Sequence, residues 1–263
     1  MRLVVVGYGM AGARLVSEVH GRAPDLDVTV FGAEPHRAYN RILLSNLVAG
    51  KTAEADVHLT EAAGRRVRLR LGVAAATIDR AAGAVIAADG ERVPYERLVL
   101  ATGGQAALPP IKGLVCDDGN LPARVAAFRT LDDCRRILAL AHTAQRALVL
   151  GGGLLGLEAA RGLAAQGLDV TVLHAVGHLM ERQLDPSASA VLTATLARLG
   201  ITVELDAATV AVDTDADQLT AVLADGRRLA ADLLVVACGV RPSTGLAERA
   251  GNAYVAALGQ RTS

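Results

Sequence analysis

The chain has 263 residues, of which 52% are hydrophobic and 21% are charged. This composition is typical of a globular protein with one or two buried cores. Its 27 basic and 27 acidic residues balance, so the sequence lacks the basic surface typical of nucleic-acid binding. No stretch approaches the roughly 18 apolar residues of a membrane span, and the N-terminus does not resemble a secretory signal. We therefore expect a cytoplasmic protein with neither nucleic acid nor membrane as a partner.

A strand, a glycine loop and a helix are predicted at the start of the chain. Residues 3–6 form a short apolar run that predicts a buried strand. The loop Gly7-Tyr8-Gly9-Met10-Ala11-Gly12 follows and opens a predicted helix to about His20, and residues 28–31 predict the next strand. In such a loop the first glycine permits a tight turn, the second lets the backbone approach a pyrophosphate, and the third lets helix and strand pack closely.

The same pattern recurs in the second half of the chain. Residues 147–150 predict a strand, Gly151-Gly152-Gly153-Leu154-Leu155-Gly156 a loop, and a helix follows to about Gln166. Residues 170–173 predict the next strand. Each half also contains an Asp-Gly turn between β-like segments, at residues 89–90 and 225–226. Strands and helices in alternation predict an α/β fold with two Rossmann-like dinucleotide-binding domains, each built on a mostly parallel sheet.

A further helix is predicted after the second unit's strands. Asp185 is a typical helix N-cap, and Pro186 is favoured at the first helical position. The helix is expected to run to about Leu199.

Two dinucleotide-binding loops in one chain indicate a reaction between two bound cofactors. One site would hold a flavin and the other a nicotinamide, with hydride passing between the two cofactors while the protein supplies their orientation. The N-terminus of each helix would offer free N–H groups and a partial positive charge to the phosphates.

The residue expected to bind a ribose differs between the halves. Glu34 follows the second strand of the first half and is our candidate there, although it could equally be a solvated loop glutamate. His174 occupies the corresponding position in the second half. A neutral imidazole can bond a hydroxyl and a protonated one tolerates a 2′-phosphate, so the choice between NADH and NADPH stays open. His174 could also be an ordinary histidine at the end of a strand.

Four stretches of the sequence are similar to a known family. Residues 6–12, 31–45, 151–160 and 178–185 resemble the pyridine nucleotide-disulfide oxidoreductase superfamily. Within it, they resemble the FAD subunit or domain of assimilatory nitrite and nitrate reductases. The resemblance implies an NAD(P)-binding domain inserted in an FAD-binding domain. The first FAD segment would span residues 1–115, the NAD(P) domain 116–244 and the returning FAD segment 245–263.

The strand-end positions of Glu34 and His174 and the resemblance together give the candidate site residues. Residues implied to contact FAD are Gly7, Gly9, Met10, Ala11, Gly12, Glu34, Arg41, Thr102 and Gly103. Residues implied to contact NAD(P)H are Gly151, Gly153, Leu154, Leu155, Gly156 and His174. Glu158 matches a glutamate near the contact between flavin and nicotinamide and is the catalytic candidate. Arg41 could instead pair with a surface carboxylate, and Glu158 could be an ordinary first-turn glutamate.

Three departures from the superfamily pattern refine this expectation. No cysteine lies near residues 39–45, which excludes the thiol relay of the disulfide reductases. Asn46 stands where rubredoxin and ferredoxin reductases usually have a lysine, which favours the nitrite and nitrate branch. The chain stops at Ser263, where the family continues into an acidic FAD-binding turn, so we expect a C-terminally truncated chain with an incomplete FAD domain.

The resulting expectation is an FAD-dependent NAD(P)H oxidoreductase without a metal site. It would pass electrons from NAD(P)H through FAD to a metal-centred partner protein or domain, either a siroheme/iron–sulfur or a molybdenum reductase of nitrite and nitrate assimilation. One alternative is a reductase of rubredoxin or ferredoxin. The other is a truncated, non-catalytic nucleotide-binding remnant.

Overall fold

The structure is a computed structural model that describes residues 1–60, 66–215 and 218–251. In chain order, the described strands are β1 (Arg2–Val6), β2 (Asp27–Gly32), β3 (Val67–Leu71), β4 (Ala75–Asp79), β5 (Ala84–Ala87), β6 (Arg92–Pro94), β7 (Arg97–Leu100), β8 (Gly104–Ala106), β9 (Val125–Ala127), β10 (Arg146–Leu150), β11 (Asp169–Leu173), β12 (Ile201–Glu204), β13 (Thr209–Thr214), β14 (Leu219–Leu223), β15 (Arg228–Ala231), β16 (Leu233–Val236) and β17 (Val240–Pro242). The described α-helices are α1 (Met10–Arg22), α2 (Leu44–Val48), α3 (Leu131–Ala141), α4 (Leu154–Ala165), α5 (Pro186–Arg198) and α6 (Gly245–Arg249).

The described residues divide into two compact units. The first comprises Met1–Asn40, His58–Gln105 and the described part of Pro242–Ser263, and the second comprises Arg41–Val57 and Ala106–Arg241. The sequence-based division into residues 1–115, 116–244 and 245–263 differs from this one in three respects. The boundary after residue 115 falls inside the second unit, Arg41–Val57 belongs to the second unit instead of the first, and residues 242–244 belong to the first unit instead of the second. The expected returning segment lies mostly in residues 252–263, outside the described residues.

Side-chain and backbone packing explain why Arg41–Val57 belongs to the second unit. Glu54 accepts two hydrogen bonds from the Arg135 guanidinium of α3, at 3.1 and 2.6 Å. On α4, a Cβ added to Gly162 would lie 3.2 Å from the backbone nitrogen of Ala49, so the segment and the helix approach almost to backbone contact. These contacts join residues far apart in the chain, which no local pattern reveals.

Each unit is built on a parallel sheet, as the repeated sequence pattern predicts. The first sheet has the strand order β3-β2-β1-β7 and the second the order β12-β11-β10-β16-β9. All neighbours in both sheets are parallel. The central strands β1 and β10 are buried along their last four residues, which is typical of strands covered on both faces. The α/β class with Rossmann-like sheets is therefore confirmed.

A three-stranded antiparallel sheet accompanies each parallel sheet. It has the order β4-β5-β6 in the first unit and β13-β14-β15 in the second. The predicted Asp-Gly turns connect β5 to β6 and β14 to β15, and both turn glycines have the positive φ that favours glycine, +87° at Gly90 and +88° at Gly226. The prediction of two similar hairpins is confirmed.

The predicted start of α5 is also confirmed. The carboxylate of Asp185 accepts a hydrogen bond from the Ala188 N–H at 2.8 Å, and Pro186 is the first helical residue. This cap satisfies one of the N–H groups that the first turn of any helix leaves without an intrahelical partner.

No helix among the described residues is long and apolar enough to cross a membrane. The cytoplasmic location stays a prediction.

The Asp232 carboxylate connects two neighbouring strands of the second sheet and provides a test of this packing. It accepts hydrogen bonds from the N–H groups of Gln145 and Arg146, at 3.0 and 2.9 Å. The Arg146 N–H is the main reason why the pKa of Asp232 lies below its ordinary value. Because the folded pKa is lower than the unfolded one, the ionised carboxylate stabilises the fold above the unfolded pKa, about 4.

We predict that Asp232→Ala lowers the free energy of unfolding by about 1 kcal/mol at pH 7. The difference from wild type should shrink as the pH falls below about 4, because protonation weakens the same hydrogen bonds in the wild type. Urea unfolding at several pH values measures this, with Asp169→Ala as the control. A difference that does not change with pH would contradict the assigned role.

Candidate functional site

The first glycine loop joins β1 to α1 through a tight turn. Gly7 has φ +108°, and a Cβ there would lie 2.1 Å from the Ala101 carbonyl oxygen. A Cβ on Gly12 would lie 2.0 Å from the Gly7 carbonyl oxygen. Real side chains never approach backbone this closely, so the packing of the loop itself requires glycine at both positions.

The second loop repeats this geometry between β10 and α4. Gly151 has φ +115°, and its Cβ would lie 2.5 Å from the Ala237 carbonyl oxygen. A Cβ on Gly156 would lie 2.0 Å from the Gly151 carbonyl oxygen. The two loops therefore share one backbone design, in which the first and third glycines let helix and strand approach each other.

The middle glycine of each loop is different. A Cβ on Gly9 or on Gly153 would meet nothing within 4 Å. Both residues are helix N-caps with φ −81°, a backbone conformation that any residue adopts, and neither helix has a side-chain cap. The protein's own packing therefore does not require glycine at these two positions. The absence of a side chain leaves open space directly at the N-terminus of each helix.

The residues implied to donate backbone N–H groups lie next to this open space. Met10 and Ala11 are the first two residues of α1, and Leu154 and Leu155 are the first two of α4. N–H groups in the first turn have no intrahelical acceptor and are available to an anion.

A cavity of about 480 Å³ in the first unit brings together two of the predicted residues, Gly7 and Thr102. Phe31, at the end of β2, also lines it. The Thr102 hydroxyl donates a hydrogen bond to the Ser243 carbonyl oxygen at 2.7 Å, and the Gly103 carbonyl accepts one from the Ser243 N–H at 2.9 Å. The segment of residues 101–103, which contains the predicted FAD contacts Thr102 and Gly103, is thus fixed beside the cavity.

Arg249, the last residue of α6, also lines this cavity. The sequence interpretation assigned residues 245–263 to the returning FAD segment but did not single out Arg249, because no motif marks this residue. Its guanidinium gives the cavity a positive charge that suits a phosphate-containing ligand.

Glu34 and Arg41 make contacts of different kinds. The Glu34 carboxylate, just after β2, accepts a hydrogen bond from the Tyr39 hydroxyl at 2.6 Å. Arg41 lies in the second unit and donates a hydrogen bond to the Arg129 carbonyl oxygen at 3.0 Å. Neither residue lines the cavity of about 480 Å³, and their contacts with FAD stay predictions.

His174 lies directly after β11, as predicted, but its ring faces the glycine loop. Nδ1 accepts a hydrogen bond from the Gly152 N–H at 3.1 Å, while Nε2 lies 2.9 Å from the His178 carbonyl oxygen. Nδ1 as acceptor makes Nε2 the protonated nitrogen, which then donates to His178. The residue is buried, with 7% of its surface exposed. In this position the imidazole supports the loop, and its contact with a ribose stays a prediction.

A second cavity, of about 370 Å³, lies in the second unit and contains Glu158. Asn46, which replaces the lysine usual in rubredoxin and ferredoxin reductases, lines the same cavity, as do two cations, Lys51 and Arg161. Glu158, the catalytic candidate, and Asn46, at the position of that lysine, thus lie in one cavity.

The buried thiol of Cys134 does not suit redox chemistry. Burial raises the pKa of this thiol to about 12. The sulfur therefore stays protonated near pH 7, whereas nucleophilic attack needs the thiolate.

The glycine geometry predicts opposite outcomes for matched substitutions. Gly12→Ala and Gly156→Ala place a Cβ about 2 Å from a backbone oxygen and should destabilise the fold by several kcal/mol. Gly9→Ala and Gly153→Ala meet open space and should cost no more than about 1 kcal/mol, the difference between glycine and alanine at an N-cap. Thermal unfolding of the four variants measures the contrast. Equal losses in all four would contradict it.

His174→Leu tests the support of the second loop. The substitution leaves the buried Gly152 N–H without its acceptor, so we expect a loss of about 1–3 kcal/mol in the free energy of unfolding. His174→Asn, whose side-chain oxygen can replace Nδ1 as acceptor, should recover part of that loss. Urea unfolding of both variants checks the prediction, and equal stabilities would refute the assigned hydrogen bond.

Comparisons with known proteins agree with this geometry. Residues 1–257 match the family described as "Pyridine nucleotide-disulphide oxidoreductase". Over 256 residues the chain is 40% identical to the NAD(P)H nitrite reductase of Bacillus subtilis (strain 168), covering 95% of this chain and 31% of that protein. It is 38% identical over 256 residues to the assimilatory nitrate reductase electron transfer subunit of the same strain, covering 95% and 32%.

A solved structure has the same fold. The chain superposes on the covalent putidaredoxin reductase–putidaredoxin complex with a TM-score of 0.86 and 27% identity, covering 95% of this chain and 61% of that chain. The chain spans about a third of the length of the two curated relatives. It belongs to the pyridine nucleotide-disulphide oxidoreductase family, which confirms the predicted family and its cofactors, FAD and NAD(P)H.

Proposed function

We propose that this chain is an FAD-dependent NAD(P)H oxidoreductase that delivers electrons to a metal-centred partner in nitrite or nitrate reduction. The observation that carries the proposal is the open space at Gly9 and Gly153, where the protein's own packing does not need glycine. A pyrophosphate that must contact the backbone does need it. The relatives in nitrite and nitrate reduction support the choice of reaction.

The first unit is the proposed FAD site. Gly7, Gly9 and Gly12 shape the loop, and the N–H groups of Met10 and Ala11 would face the pyrophosphate. The cavity of about 480 Å³ beside Gly7 and Thr102 has room for part of the dinucleotide. Glu34, Arg41 and Gly103 are proposed as further contacts on the strength of the family resemblance.

The second unit is the proposed NAD(P)H site, inserted between the segments of the FAD-binding unit. Gly151, Gly153 and Gly156 shape its loop, and the N–H groups of Leu154 and Leu155 would face the pyrophosphate. His174 holds Gly152 and thereby fixes the loop before any ligand arrives. A loop that is already ordered loses less conformational entropy when it binds.

Glu158 is proposed to contact the reacting rings on the strength of the family resemblance, and it shares a cavity with Asn46. When bound, FAD would accept a hydride from NAD(P)H and release its electrons singly. The protein's contribution is to orient both cofactors and to exclude water from them.

The proposed acceptor is a siroheme/iron–sulfur or molybdenum reductase component. Identities of 40% and 38% to proteins of nitrite and nitrate reduction favour it. The 27% identity to a reductase solved with its protein partner supports a small redox protein, of the rubredoxin or ferredoxin kind, as the second candidate. Stopped-flow reduction of each acceptor by the NADH-reduced chain separates the two.

The cofactor assignment predicts which variant loses which ligand. Gly9→Ala should weaken FAD binding at least tenfold and leave nicotinamide binding unchanged, and Gly153→Ala should do the reverse, because each added methyl group occupies only one pyrophosphate position. Calorimetric titration with FAD and with NAD⁺ measures the affinities. Each variant is the control for the other.

The wild type itself provides the test of activity. With FAD it should show an oxidised-flavin spectrum that NADH or NADPH bleaches under anaerobic conditions. A wild-type chain that binds a nicotinamide dinucleotide but acquires no flavin spectrum would overturn the oxidoreductase proposal in favour of a nucleotide-binding remnant.

A further inference from the structure

The residue directly after β11 is not the acid that such folds usually have there, and the carboxylate of the next acid along the chain, Glu181, lies 3.3 Å from His174 Nε2. In dinucleotide-binding folds an acid near the end of the second strand accepts hydrogen bonds from the adenosine ribose. Here β11 ends at Leu173, and the next residue is His174, whose two ring nitrogens are bonded to the protein. The five residues from His174 to His178 include no acid.

A carboxylate from the neighbouring strand reaches the same turn. β12 is parallel to β11, with Glu204 opposite Leu173, so the two strands end at the same edge of the sheet. Two residues after Glu204, the Asp206 carboxylate oxygens lie 3.5 and 3.6 Å from the position that a Cβ on Gly177 would occupy. The Asp206 N–H also donates a hydrogen bond to the Val176 carbonyl oxygen at 3.3 Å.

The backbone at Asp206 is unusual for a residue with a side chain. Its φ is +52°, in the left-handed region that glycine adopts without cost and that aspartate tolerates better than most residues. Glycine would adopt this φ angle without strain. The chain has a carboxylate there instead, exposed and directed to the turn after β11.

The charge of this carboxylate is not neutralised nearby. Glu204 pairs with Arg227 at 2.6 Å, and Arg227 also binds Asp225 at 2.7 Å. Across residues 1–60, 66–215 and 218–251, Asp206 has no ion pair within 4.0 Å. An unpaired carboxylate accepts hydroxyl hydrogen bonds and repels a phosphate.

We propose that Asp206 takes the role of the missing strand-end acid, binds the adenosine ribose hydroxyls and selects NADH over NADPH. This inference rests on the proposed nicotinamide site of the second unit. His174 then supports the glycine loop through its hydrogen bond with Gly152, while Asp206 accepts hydrogen bonds from the ribose hydroxyls. A 2′-phosphate would lie against the Asp206 carboxylate and be rejected by charge.

The test compares NAD⁺ and NADP⁺ binding by calorimetry for wild type, Asp206→Gly and Asp206→Asn. Asp206→Gly suits φ +52° and should fold as well as wild type, which thermal unfolding without nucleotide checks. We expect wild type to bind NAD⁺ at least tenfold more tightly than NADP⁺ and both variants to lose most of this preference. Asp169→Asn, at the opposite end of β11, is the matched control and should keep it.

The possible outcomes separate this inference from the proposed function. If wild type binds NAD⁺ and Asp206→Gly keeps the same preference for NAD⁺ over NADP⁺, the proposed role of Asp206 is wrong. The proposed nicotinamide site would still stand. Wild type that prefers NADP⁺ would have the same consequence. Wild type that binds neither nucleotide would overturn both proposals.

Discussion

In each half of this molecule, the carbonyl oxygen of the first glycine in the loop lies where a Cβ on the third glycine would be. The Gly7 carbonyl oxygen lies 2.0 Å from the position of a Gly12 Cβ, and the Gly151 carbonyl oxygen lies 2.0 Å from that of a Gly156 Cβ. This contact lets a helix start almost against the strand that precedes it. The N-termini of α1 and α4 are thereby fixed at the carboxyl edges of their sheets, where ligands bind in open α/β folds.

The remaining features of each site depend on this close approach. Once helix and strand are in place, the middle glycine, Gly9 or Gly153, points into open space at the helix N-terminus. In the second unit, His174 then supports the loop by accepting a hydrogen bond from the Gly152 N–H. In the first unit, Thr102 and Ser243 hold the neighbouring turn beside a cavity. The two loops thus share a backbone geometry but are supported by different side chains.

Local patterns predicted much of this architecture because its causes are local. Strand, glycine loop and helix follow one another within about 30 residues, and the Asp185 cap and the two Asp-Gly turns each depend on adjacent residues. The position of Arg41–Val57 depends instead on contacts such as Glu54 with Arg135, which are 81 residues apart. The orientation of His174 toward Gly152 likewise requires the side-by-side placement of β10 and β11, and the approach of Asp206 to Gly177 requires that of β11 and β12. A sequence pattern identifies the residue type at such positions, but the direction of its side chain follows from the assembled sheet.

The proposed function depends on the pyrophosphates of FAD and NAD(P)H occupying the open space at Gly9 and Gly153. The most direct measurement is a crystal structure of the chain grown with FAD and NAD⁺. The account predicts FAD with its pyrophosphate in van der Waals contact with Gly9 and NAD⁺ with its pyrophosphate in contact with Gly153. Ordered dinucleotides bound elsewhere, with solvent at either glycine, would contradict it.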